Sequence, residues 1–370
     1  MQKKLVTIVG ARPQFIKAAM VSHHLKKVGA VKEILIHTGQ HYDENMSSIF
    51  FEELEMSAPD HHLEIGSLSH GAQTGRMLEA IEKVLLETAP QGVLIYGDTN
   101  STLAGALAAS KLHIPIFHVE AGLRSFNMKM PEEINRIVSD GLSQLLFAPT
   151  KIAIQHLLNE GISEKKIHEV GDVMYDIALH YGEKARKNSQ RLDDLNLTSK
   201  KYLLATIHRA ENTDNIERLK IIFDAFIKLS KEIPVVLPLH PRTRGILKKN
   251  GLFERVEAHL NLIEPLGFLE MMLLEIHAKL IVTDSGGVQK EAFFHGVPCV
   301  TLRDETEWVE LVELGWNHLI PPVDSSSIVS GVLDLLVSSP QGETGCYPYG
   351  RGDSSKKIVD IILNEEYIRH

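Results

Sequence analysis

The sequence predicts an α/β protein made of two Rossmann-like, doubly wound parallel-sheet domains that face a cleft. Two observations indicate this class. Short apolar runs alternate with helical patterns through both halves of the chain, an order that is typical of βαβ units. The chain also has 370 residues, and domains usually hold roughly 100–200 residues each. We therefore expect two domains rather than one.

In the first half, continuous apolar runs predict strands that are buried on both faces of a sheet. Pro13 follows the first run and suits the first turn of a helix. A longer helical pattern covers residues 74–88. The predicted strands lie within 4–10, 33–41, 93–96, 114–119 and 145–150.

A polar, charged stretch between residues 171 and 201 marks the predicted boundary. We predict an N-terminal domain at 1–171 and a C-terminal domain at 172–352, with the helix of 353–370 packing back on the first domain. A second alternating series follows the boundary. Its predicted strands lie within 201–208, 234–240, 261–266, 278–283 and 297–302, and its helices at 216–231 and 288–295.

Composition and charge exclude several classes of protein. The formal net charge is −9, which argues against a nucleic-acid partner because binding one normally needs a clustered basic face. No apolar run approaches the ~20 residues that span a bilayer, and no signal-peptide core follows Met1. Only Cys299 and Cys346 occur, so a disulfide scaffold is not expected. We expect a cytoplasmic protein without a membrane partner.

Acidic residues stand at the ends of predicted elements in the first half. Asp98 and Glu120 each follow an apolar strand-like run, and Glu132 and Glu133 stand near the start of a later helical stretch. Parallel sheets expose such positions to ligands, so two acids at adjacent strand ends predict a site. The alternative for Asp98 is a structural one, as the N-cap of the helix that follows it.

Basic residues gather at two further strand ends. Arg12 and Lys17 flank the start of the first helix, whose free N–H groups favour an anion, although two such cations are also common on a solvated surface. In the second half, His208 and Arg209 follow one strand, and His240 and Arg242 follow the next. A strand-end histidine is often only structural. In a chain of net negative charge, this group beside a glycine turn favours a diphosphate pocket.

The glycine turn itself is Ser285–Gly286–Gly287, which follows a strand and opens a helix. Glycines let backbone N–H groups approach a ligand closely, and the helix N-terminus favours phosphate. Glu291, about one turn further on, could accept hydrogen bonds from sugar hydroxyls. Two glycines after a strand are weak evidence when they stand alone, because many turns need them.

Other chemistries lack their motifs. The GxGxxG fingerprint and the Walker motif are absent, which disfavours a nicotinamide cofactor, and we predict no cofactor. The adjacent pairs His23–His24 and His61–His62 do not share a helix face, so the 19 histidines predict no metal site. Ser285 lacks a GxSxG context and is interpreted as a ligand-binding hydroxyl, not a nucleophile.

A collinear set of motifs resembles the non-hydrolysing UDP-N-acetylglucosamine 2-epimerases. In chain order the motifs are GARPQFIKAA, HTGQHYDENM, YGDTNSTLAG, HVEAGLR, MPEEINR, TIHRAEN, TDSGGVQKEA and RDETEWVE. The resemblance implies a glycosyltransferase-B-like fold, a UDP-sugar held between the domains, and a homodimer. It also implies a role in making precursors of bacterial or archaeal surface polysaccharides.

The resemblance assigns roles to individual residues. It implies that Asp98, Glu120, Glu132 and His208 are catalytic, with Glu133 the weaker choice of its pair. The ligands of the UDP-sugar would be Arg12, Lys17, Arg136, Arg209, His240, Met271, Ser285, Gly286, Gly287 and Glu291.

The family reaction is anti elimination of UDP to a 2-acetamidoglucal, followed by re-addition on the other face of the sugar. A sugar C2–H is not next to a carbonyl, so simple removal and return of its proton is implausible. With no dinucleotide motif for a transient oxidation, loss of UDP is the remaining route. The acids would remove and return the C2 proton, and the cations would stabilise the leaving diphosphate.

Several positions depart from the family pattern and leave the sugar open. Gln14 and Phe15 stand in the first loop where many members have Glu-Ala, and Trp308 stands where others have arginine. Ala210 and Asp43 occupy positions that help bacterial members to bind an activating UDP-GlcNAc, so we expect weak or absent activation. UDP-GlcNAc, UDP-GalNAc and a UDP-diacetamido uronic acid remain candidate substrates.

Three other functions remain alternatives at this point. A glycosyltransferase of the same fold would also bind UDP but would need an acceptor. A hydrolytic 2-epimerase would release the free sugar and UDP. A catalytically silent UDP-sugar-binding module would keep the pocket and lose the acids, yet Asp98, Glu120, Glu132 and His208 are all present.

Overall fold

The computed structural model describes residues 2–40, 53–66, 68–187, 190–337 and 347–365. Contacts between residues divide this part of the chain into two compact units. Unit 1 contains the described residues up to Ile177 and those from Tyr347 onward, and unit 2 contains those from Ala178 to 337. The independent folding of these units as the two domains expected from the sequence stays a prediction.

Unit 1 is built on a seven-stranded sheet in the order β3-β2-β1-β4-β5-β6-β7, in which every pair is parallel. The chain runs outward from β1 to one edge and then from β4 to the other. The switch point of this doubly wound sheet therefore lies between β1 and β4. The strands are β1 (Lys3–Val9), β2 (Val31–His37), β3 (His61–His62), β4 (Gly92–Tyr96), β5 (Ile116–Val119), β6 (Leu145–Ala148) and β7 (Ile167–Glu169).

Helices cover both faces of this sheet, as alternate side chains of β1 show. Leu5 and Val9 belong to one buried cluster, whereas Val6 and Ile8 belong to another on the opposite face. The helices are α1 (Arg12–Val28), α2 (His70–Thr88), α3 (Asn100–Lys111), α4 (Pro131–Leu142), α5 (Lys151–Asn159), α6 (Val173–Lys187), which continues into unit 2, and α16 (Ser354–Asn364).

The C-terminal helix α16 belongs to the core of unit 1. Ile358, Val359 and Ile362 are buried in the same cluster as Phe15 and Val21 of α1. On the opposite face, α3 packs very closely on the sheet, because a Cβ at Gly105 would lie 2.8 Å from Cδ1 of Ile8. This close approach explains the run of alanine and glycine in α3.

Unit 2 repeats the same plan with a six-stranded parallel sheet in the order β10-β9-β8-β11-β12-β13. Its switch point lies between β8 and β11. The strands are β8 (Leu203–Thr206), β9 (Val235–Pro238), β10 (Asn261–Ile263), β11 (Leu280–Thr283), β12 (Cys299–Thr301) and β13 (Asn317–Leu319).

The helices of unit 2 pack around a buried aliphatic and aromatic core that includes Phe226, Leu237 and Val282. Asn215 is the N-cap of the helix at Ile216–Leu229, and its side chain accepts from the N–H groups of Glu217 and Arg218. The helices after α6 are α7 (Gln190–Asp194), α8 (Ala210–Thr213), α9 (Ile216–Leu229), α10 (Pro241–Lys249), α11 (Phe253–Glu257), α12 (Phe268–His277), α13 (Gly286–Phe294), α14 (Val309–Glu313) and α15 (Ser325–Val337).

The predicted α/β class and the long elements are confirmed, but several bounds were wrong. Helix α2 begins at His70, four residues before the predicted 74, because the polar first turn carries no apolar period. Strands β3, β7 and β13 were not predicted. They are two or three residues long and only partly apolar, so their pairing partners determine them rather than their own pattern.

The helices and the cysteines also bear on the predicted class of protein. Among the described residues, no helix is both long and apolar enough to cross a membrane. Cys299 is a buried free thiol in β12, and Cys346 lies outside the described residues. The last six residues of the HTGQHYDENM motif (41–46), which include Asp43, also lie outside the described residues.

Candidate active site

The carboxylates of unit 1 lie at the switch point of its sheet. Asp98 follows β4, Glu120 follows β5, and Glu132 and Glu133 lie in the first turn of α4. Lys17, in the second turn of the helix α1 that follows β1, contacts Glu120 there. The sequence-based prediction that these acids meet at one sheet edge agrees with the observed topology, and the catalytic roles stay a prediction.

Glu120 and Lys17 form an ion pair and a direct hydrogen bond. Both side chains are largely buried. Glu120 has φ of +71°, a left-handed conformation that is uncommon for a residue other than glycine and that often marks a functional position. A Cβ at Gly97 would lie 3.2 Å from Oε2 of Glu120 and 3.4 Å from Nζ of Lys17. Gly97 (φ +60°) therefore lies directly against the Glu120–Lys17 ion pair, and a side chain at this position would press on both groups.

Asp98 is held by Arg136 rather than by a helix end. Oδ2 of Asp98 accepts from Nε and Nη2 of Arg136 at 2.9 and 2.6 Å. The backbone carbonyl of Asp98 accepts from Asn135 at 2.8 Å. The N-cap of α3 is Thr99, whose side chain accepts from the N–H of Thr102. The alternative interpretation of Asp98 as the N-cap is wrong, because the next residue occupies that position.

The carboxylate of Glu133 is fully used in hydrogen bonds with neighbouring residues. Its buried carboxylate accepts from the backbone N–H groups of Ser125 and Phe126, from the Ser125 hydroxyl, and from Nη1 of Arg136 at 2.7 Å. Burial raises the pKa of Glu133, but these hydrogen bonds outweigh burial and leave the pKa lowered. Because these hydrogen bonds occupy the carboxylate of Glu133, they favour Glu132 over Glu133 as a proton-transferring residue.

Glu132 differs from its neighbours in the contacts of its carboxylate. Its side chain is half-buried. Among the described residues it makes no hydrogen bond or ion pair, whereas Asp98, Glu120 and Glu133 are each tied to a cation. Arg136 donates to both Asp98 and Glu133, so three of its five N–H groups are already used.

The first loop of unit 1 is anchored by Gln14. Its Oε1 accepts from the N–H groups of Gly10 and Ala11, and its Nε2 donates to the Tyr96 carbonyl and the Thr102 hydroxyl. These bonds join the end of β1 to the end of β4. Gln14 therefore shapes the turn that carries Arg12, which is half-buried at the first position of α1.

A buried polar network beneath Glu120 was missed by the sequence analysis. His118 lies between Asp140 of α4 and the carbonyl of Gly97, at 2.7 Å from each. Asp140 also accepts from Gly122 N–H at 3.1 Å and contacts Nη1 of Arg124 at 2.8 Å. The signal was available in the HVEAGLR motif, where a histidine stands at a buried strand position.

In unit 2, Asp284 organises the loop after β8. This carboxylate is fully buried and accepts from the backbone N–H groups of His208 and Arg209 and from the Asn212 side chain. Nδ1 of His208 lies 3.6 Å from Oδ1 of Asp284. Burial lowers the pKa of His208, the nearby His240 and Arg209 lower it further, and Asp284 opposes them without reversing the direction.

The glycine turn lies beside this loop at the switch point of the second sheet. Ser285 is the N-cap of α13, and its side chain makes no capping bond to the helix. A Cβ at Gly286 would lie 3.5 Å from Nη2 of Arg209, so the predicted meeting of Arg209 with the turn is observed. The helix begins at Gly286, two residues before the predicted 288, and the first N–H groups of a helix have no partner within the helix.

The remaining predicted ligands are placed as follows. His240 is the exposed N-cap of α10, and its ring lies 6.1 Å from that of His208 between centroids. Arg242 donates to Asp214 at 2.6 Å. Glu291 is half-buried in the second turn of α13, and Met271 is half-buried in the first turn of α12. Their roles as ligands stay predictions.

Trp308 is hydrogen-bonded to the backbone of the glycine turn. Its Nε1 donates to the Gly286 carbonyl at 2.9 Å, and Nζ of the buried Lys290 lies 4.1 Å from the centre of the Trp308 ring. Glu307 accepts from Arg303 at 2.8 Å and lies 3.8 Å from Arg209. The tryptophan that departs from the family pattern thus has a structural role in unit 2.

Two doubly wound parallel sheets, each with polar side chains gathered at its switch point, define the class of α/β proteins with a glycosyltransferase-B-like fold. A family model described as UDP-N-acetylglucosamine 2-epimerase matches residues 23–363. The chain belongs to this family.

Individual relatives are similar over nearly their full length. A UDP-N-acetylglucosamine 2-epimerase homolog of Methanococcus maripaludis is 55% identical, over 98% of this chain and 99% of that protein. The UDP-2,3-diacetamido-2,3-dideoxy-D-glucuronate 2-epimerase of Pseudomonas aeruginosa is 51% identical, over 97% and 99%. A crystal structure of Methanocaldococcus jannaschii UDP-GlcNAc 2-epimerase with UDP-GlcNAc and UDP matches with a TM-score of 0.89 at 46% identity, covering 98% of this chain and 100% of that one.

Proposed function

We propose that the protein epimerises C2 of a UDP-2-acetamido sugar by anti elimination of UDP and re-addition to the 2-acetamidoglucal. The observation that carries this proposal is the group of Asp98, Glu120 and Glu132 at one switch point, with Lys17 and Arg136 in direct contact with two of them. Proton removal and return on opposite faces of a sugar needs more than one carboxylate, and unit 1 supplies three.

The electron count of the elimination is simple. A carboxylate takes the C2 proton, the C2–H electron pair forms the C1–C2 double bond, and the C1–O bond breaks with its electrons going to UDP. In the return step, the β-phosphate oxygen of UDP attacks C1, and a carboxylic acid delivers a proton to the other face of C2. UDP and the proton are both recovered, so the reaction needs no oxidant or cofactor.

We assign the leaving UDP to unit 2. His208 and Arg209 follow β8, and the turn Ser285–Gly287 offers the free N–H groups of α13. Hydrogen bonds and a helix N-terminus stabilise a developing diphosphate charge. His240, Met271 and Glu291 complete the set in unit 2 as contacts to the nucleotide.

Within unit 1 we assign different duties to the three acids. Asp98 and Glu120 are fixed by Arg136 and Lys17, so they hold defined positions. Glu132 is not fixed by any described residue and can adjust to the substrate. Arg136 and Lys17 act mainly through the carboxylates that they contact, although Lys17 also has two further donors for a ligand.

The choice of sugar rests on the relatives. The Pseudomonas aeruginosa protein at 51% identity acts on a UDP-diacetamido uronic acid by its name, and archaeal proteins at 47% and 45% identity are named for UDP-N-acetylglucosamine. We therefore propose a UDP-2-acetamido sugar, to be used in surface polysaccharide synthesis. We also propose a cytoplasmic homodimer, which the family resemblance implies.

A proton NMR time course in D₂O tests the proposal directly. UDP-GlcNAc, UDP-GalNAc and the UDP-diacetamido uronic acid are each incubated with the protein. We expect deuterium at C2 and a new UDP-sugar anomeric signal for at least one of them. Release of free sugar and UDP would instead indicate a hydrolase, and transfer only when an acceptor is added would indicate a glycosyltransferase. Unchanged spectra with all three sugars would contradict the proposal.

Replacement of Gly286 by alanine tests the nucleotide site. The nearest atoms to an added Cβ are 3.5 Å or more away and φ is not in the left-handed region, so the fold accepts alanine. We expect unchanged thermal stability and a loss of UDP affinity of about 10- to 100-fold, because a hydrogen bond to a charged group contributes ~1.5–3 kcal/mol. Isothermal titration with UDP provides the measurement.

The matched control is Gly245→Ala in α10, where an added Cβ would meet nothing within 4 Å. Its UDP affinity should equal that of the wild-type protein. Equal affinity of the Gly286 and Gly245 variants would show that the nucleotide does not approach the turn.

A further inference from the structure

The proposed reaction makes no use of His118, although this residue lies on the strand that leads to Glu120 and contacts the residue before Asp98. It is fully buried on β5, two residues before Glu120. Nδ1 is 2.7 Å from Oδ1 of Asp140, and Nε2 is 2.7 Å from the carbonyl oxygen of Gly97. Gly97 precedes Asp98 in the chain, so the ring contacts the turn that carries this acid.

Both partners of the His118 ring are hydrogen-bond acceptors. A carbonyl oxygen can only accept, so Nε2 must carry a proton. Asp140 accepts from Gly122 N–H as well and contacts Arg124. Both of these contacts are made to Oδ2 and need an acceptor, so the Asp140 side chain is a carboxylate and its Oδ1 accepts from the His118 ring. Nδ1 must therefore carry a proton too, and only the imidazolium has both.

The charges around the ring compensate one another. His118 contacts Asp140, Asp140 contacts Arg124, and Arg124 donates to Glu160 through Nε and Nη2, each at 2.7 Å. A buried cation is tolerated when it is paired and hydrogen-bonded in this way. The charged groups that a Cβ at Gly97 would meet are Oε2 of Glu120 and Nζ of Lys17.

We propose that His118 is held as a buried imidazolium and serves as a positioning residue for Asp98 and Glu120. It fixes the Gly97 carbonyl, while the Gly97 N–H donates to the Val119 carbonyl at 3.0 Å. The turn before Asp98 is thereby held at both of its polar groups, and a permanent positive charge lies behind the two acids. The inference rests on the proposed function for the meaning of the acids, but the state of the ring does not depend on it.

The first test measures the ring itself. The protein is prepared with nitrogen-15 in the histidine rings, and the His118 signals are identified by their loss in His118→Gln or their shift in Asp140→Asn. At about pH 7.5, roughly one unit above the pKa of an ordinary histidine, we expect a proton on both ring nitrogens. A single ring N–H would overturn the imidazolium. No substrate is needed, so this result is separable from failure of the proposed function.

The second test measures positioning. We expect His118→Gln to lower kcat by about 10- to 100-fold, since small displacements of reacting groups have effects of this size. UDP affinity and KM should stay at their wild-type values, because the nucleotide ligands of unit 2 are untouched. The matched control is His168→Gln on β7 of the same sheet, where the half-buried ring contacts none of the acids. It should keep the wild-type kcat.

A His118→Gln protein with wild-type kcat would overturn the positioning role, as would a loss of UDP affinity equal to the loss of kcat. If that variant does not fold, Asp140→Asn tests the same contact, because it keeps the shape of the side chain and removes the anion. We expect it to leave one proton on the His118 ring and to lower kcat without changing KM. Unchanged kcat together with two ring protons in this variant would likewise overturn the proposal.

Discussion

Replacing Asp98, Glu120 or Glu132 by its amide should lower turnover by about 10²- to 10⁴-fold, the usual contribution of a general acid or base. An amide keeps the size of the carboxyl group and removes its capacity to exchange a proton. UDP affinity should change far less, because the proposed nucleotide ligands Ser285 and Gly286 lie in unit 2. Steady-state rates and titration with UDP measure the two quantities separately.

The three variants should also differ in stability. Asp98→Asn removes one of the two anions that Arg136 contacts, and Glu120→Gln leaves the largely buried Lys17 without its anion. Glu132→Gln breaks no contact among the described residues. Glu132→Gln is therefore the cleanest catalytic variant. The control is Glu169→Gln, an exposed position on β7, which should behave as the wild type in every assay. A variant that keeps turnover at saturating substrate but loses UDP binding would remove that residue from the catalytic group.

Replacing Arg136 by leucine should destabilise the protein by about 3–5 kcal/mol, because it leaves the buried Glu133 and the partly buried Asp98 without their shared partner. Urea unfolding measures this loss. Arg136→Lys should retain more stability but lower kcat, because an ammonium group cannot reproduce the two-nitrogen contact with Asp98. UDP affinity of the lysine variant should not change if Arg136 orients Asp98 rather than binding the nucleotide.

A matched control uses an arginine pair on the surface. Arg255 donates to Asp224 at 2.8 Å with both side chains exposed. Arg255→Leu should therefore change the free energy of unfolding by only about 0–1 kcal/mol. Equal effects of Arg136→Leu and Arg255→Leu would show that the buried contacts contribute no more than surface ones.

The contact between Arg136 and Glu133 should also make the stability of the protein depend on pH. The pKa of Glu133 is lowered in the folded protein, so its contribution to stability is present above the unfolded value of about 4.3 and is lost as the pH falls through the folded value. Asp140, whose pKa is also lowered, contributes in the same direction. Arg136→Leu should reduce this acid sensitivity relative to the wild type, and Arg255→Leu should leave it unchanged.

Much of the architecture followed from local patterns. The buried runs ending before Asp98 and Glu120 predicted parallel strands, because a strand covered on both faces is apolar throughout. Short strands such as β3 could not be predicted in this way. Such strands form because they pair with a neighbouring strand. The two polar residues of β3, His61 and His62, carry no sequence pattern that predicts their pairing with β2.

The contacts and roles of individual side chains were harder to predict than their positions at strand and helix ends. Sequence alone left Asp98 open between helix cap and site residue, and Thr99 settles the cap. The role of Arg136 as a substrate ligand stays a prediction, and the structure adds its contacts with Asp98 and Glu133, which use three of its N–H groups. His118 carried no expected role because its partners, Gly97 and Asp140, are 21 and 22 residues away along the chain.

The sequence by itself therefore determined the α/β class, the strand ends that bear polar groups, and the family, because these depend on local periodicity and on collinear motifs. The tertiary structure alone decided which charges neutralise one another. Glu132 and Glu133 are neighbours in one helical turn, but only Glu133 points at Arg136 and at the N–H groups of Ser125 and Phe126. The two residues face different surroundings because a helix turns about 100° at each step.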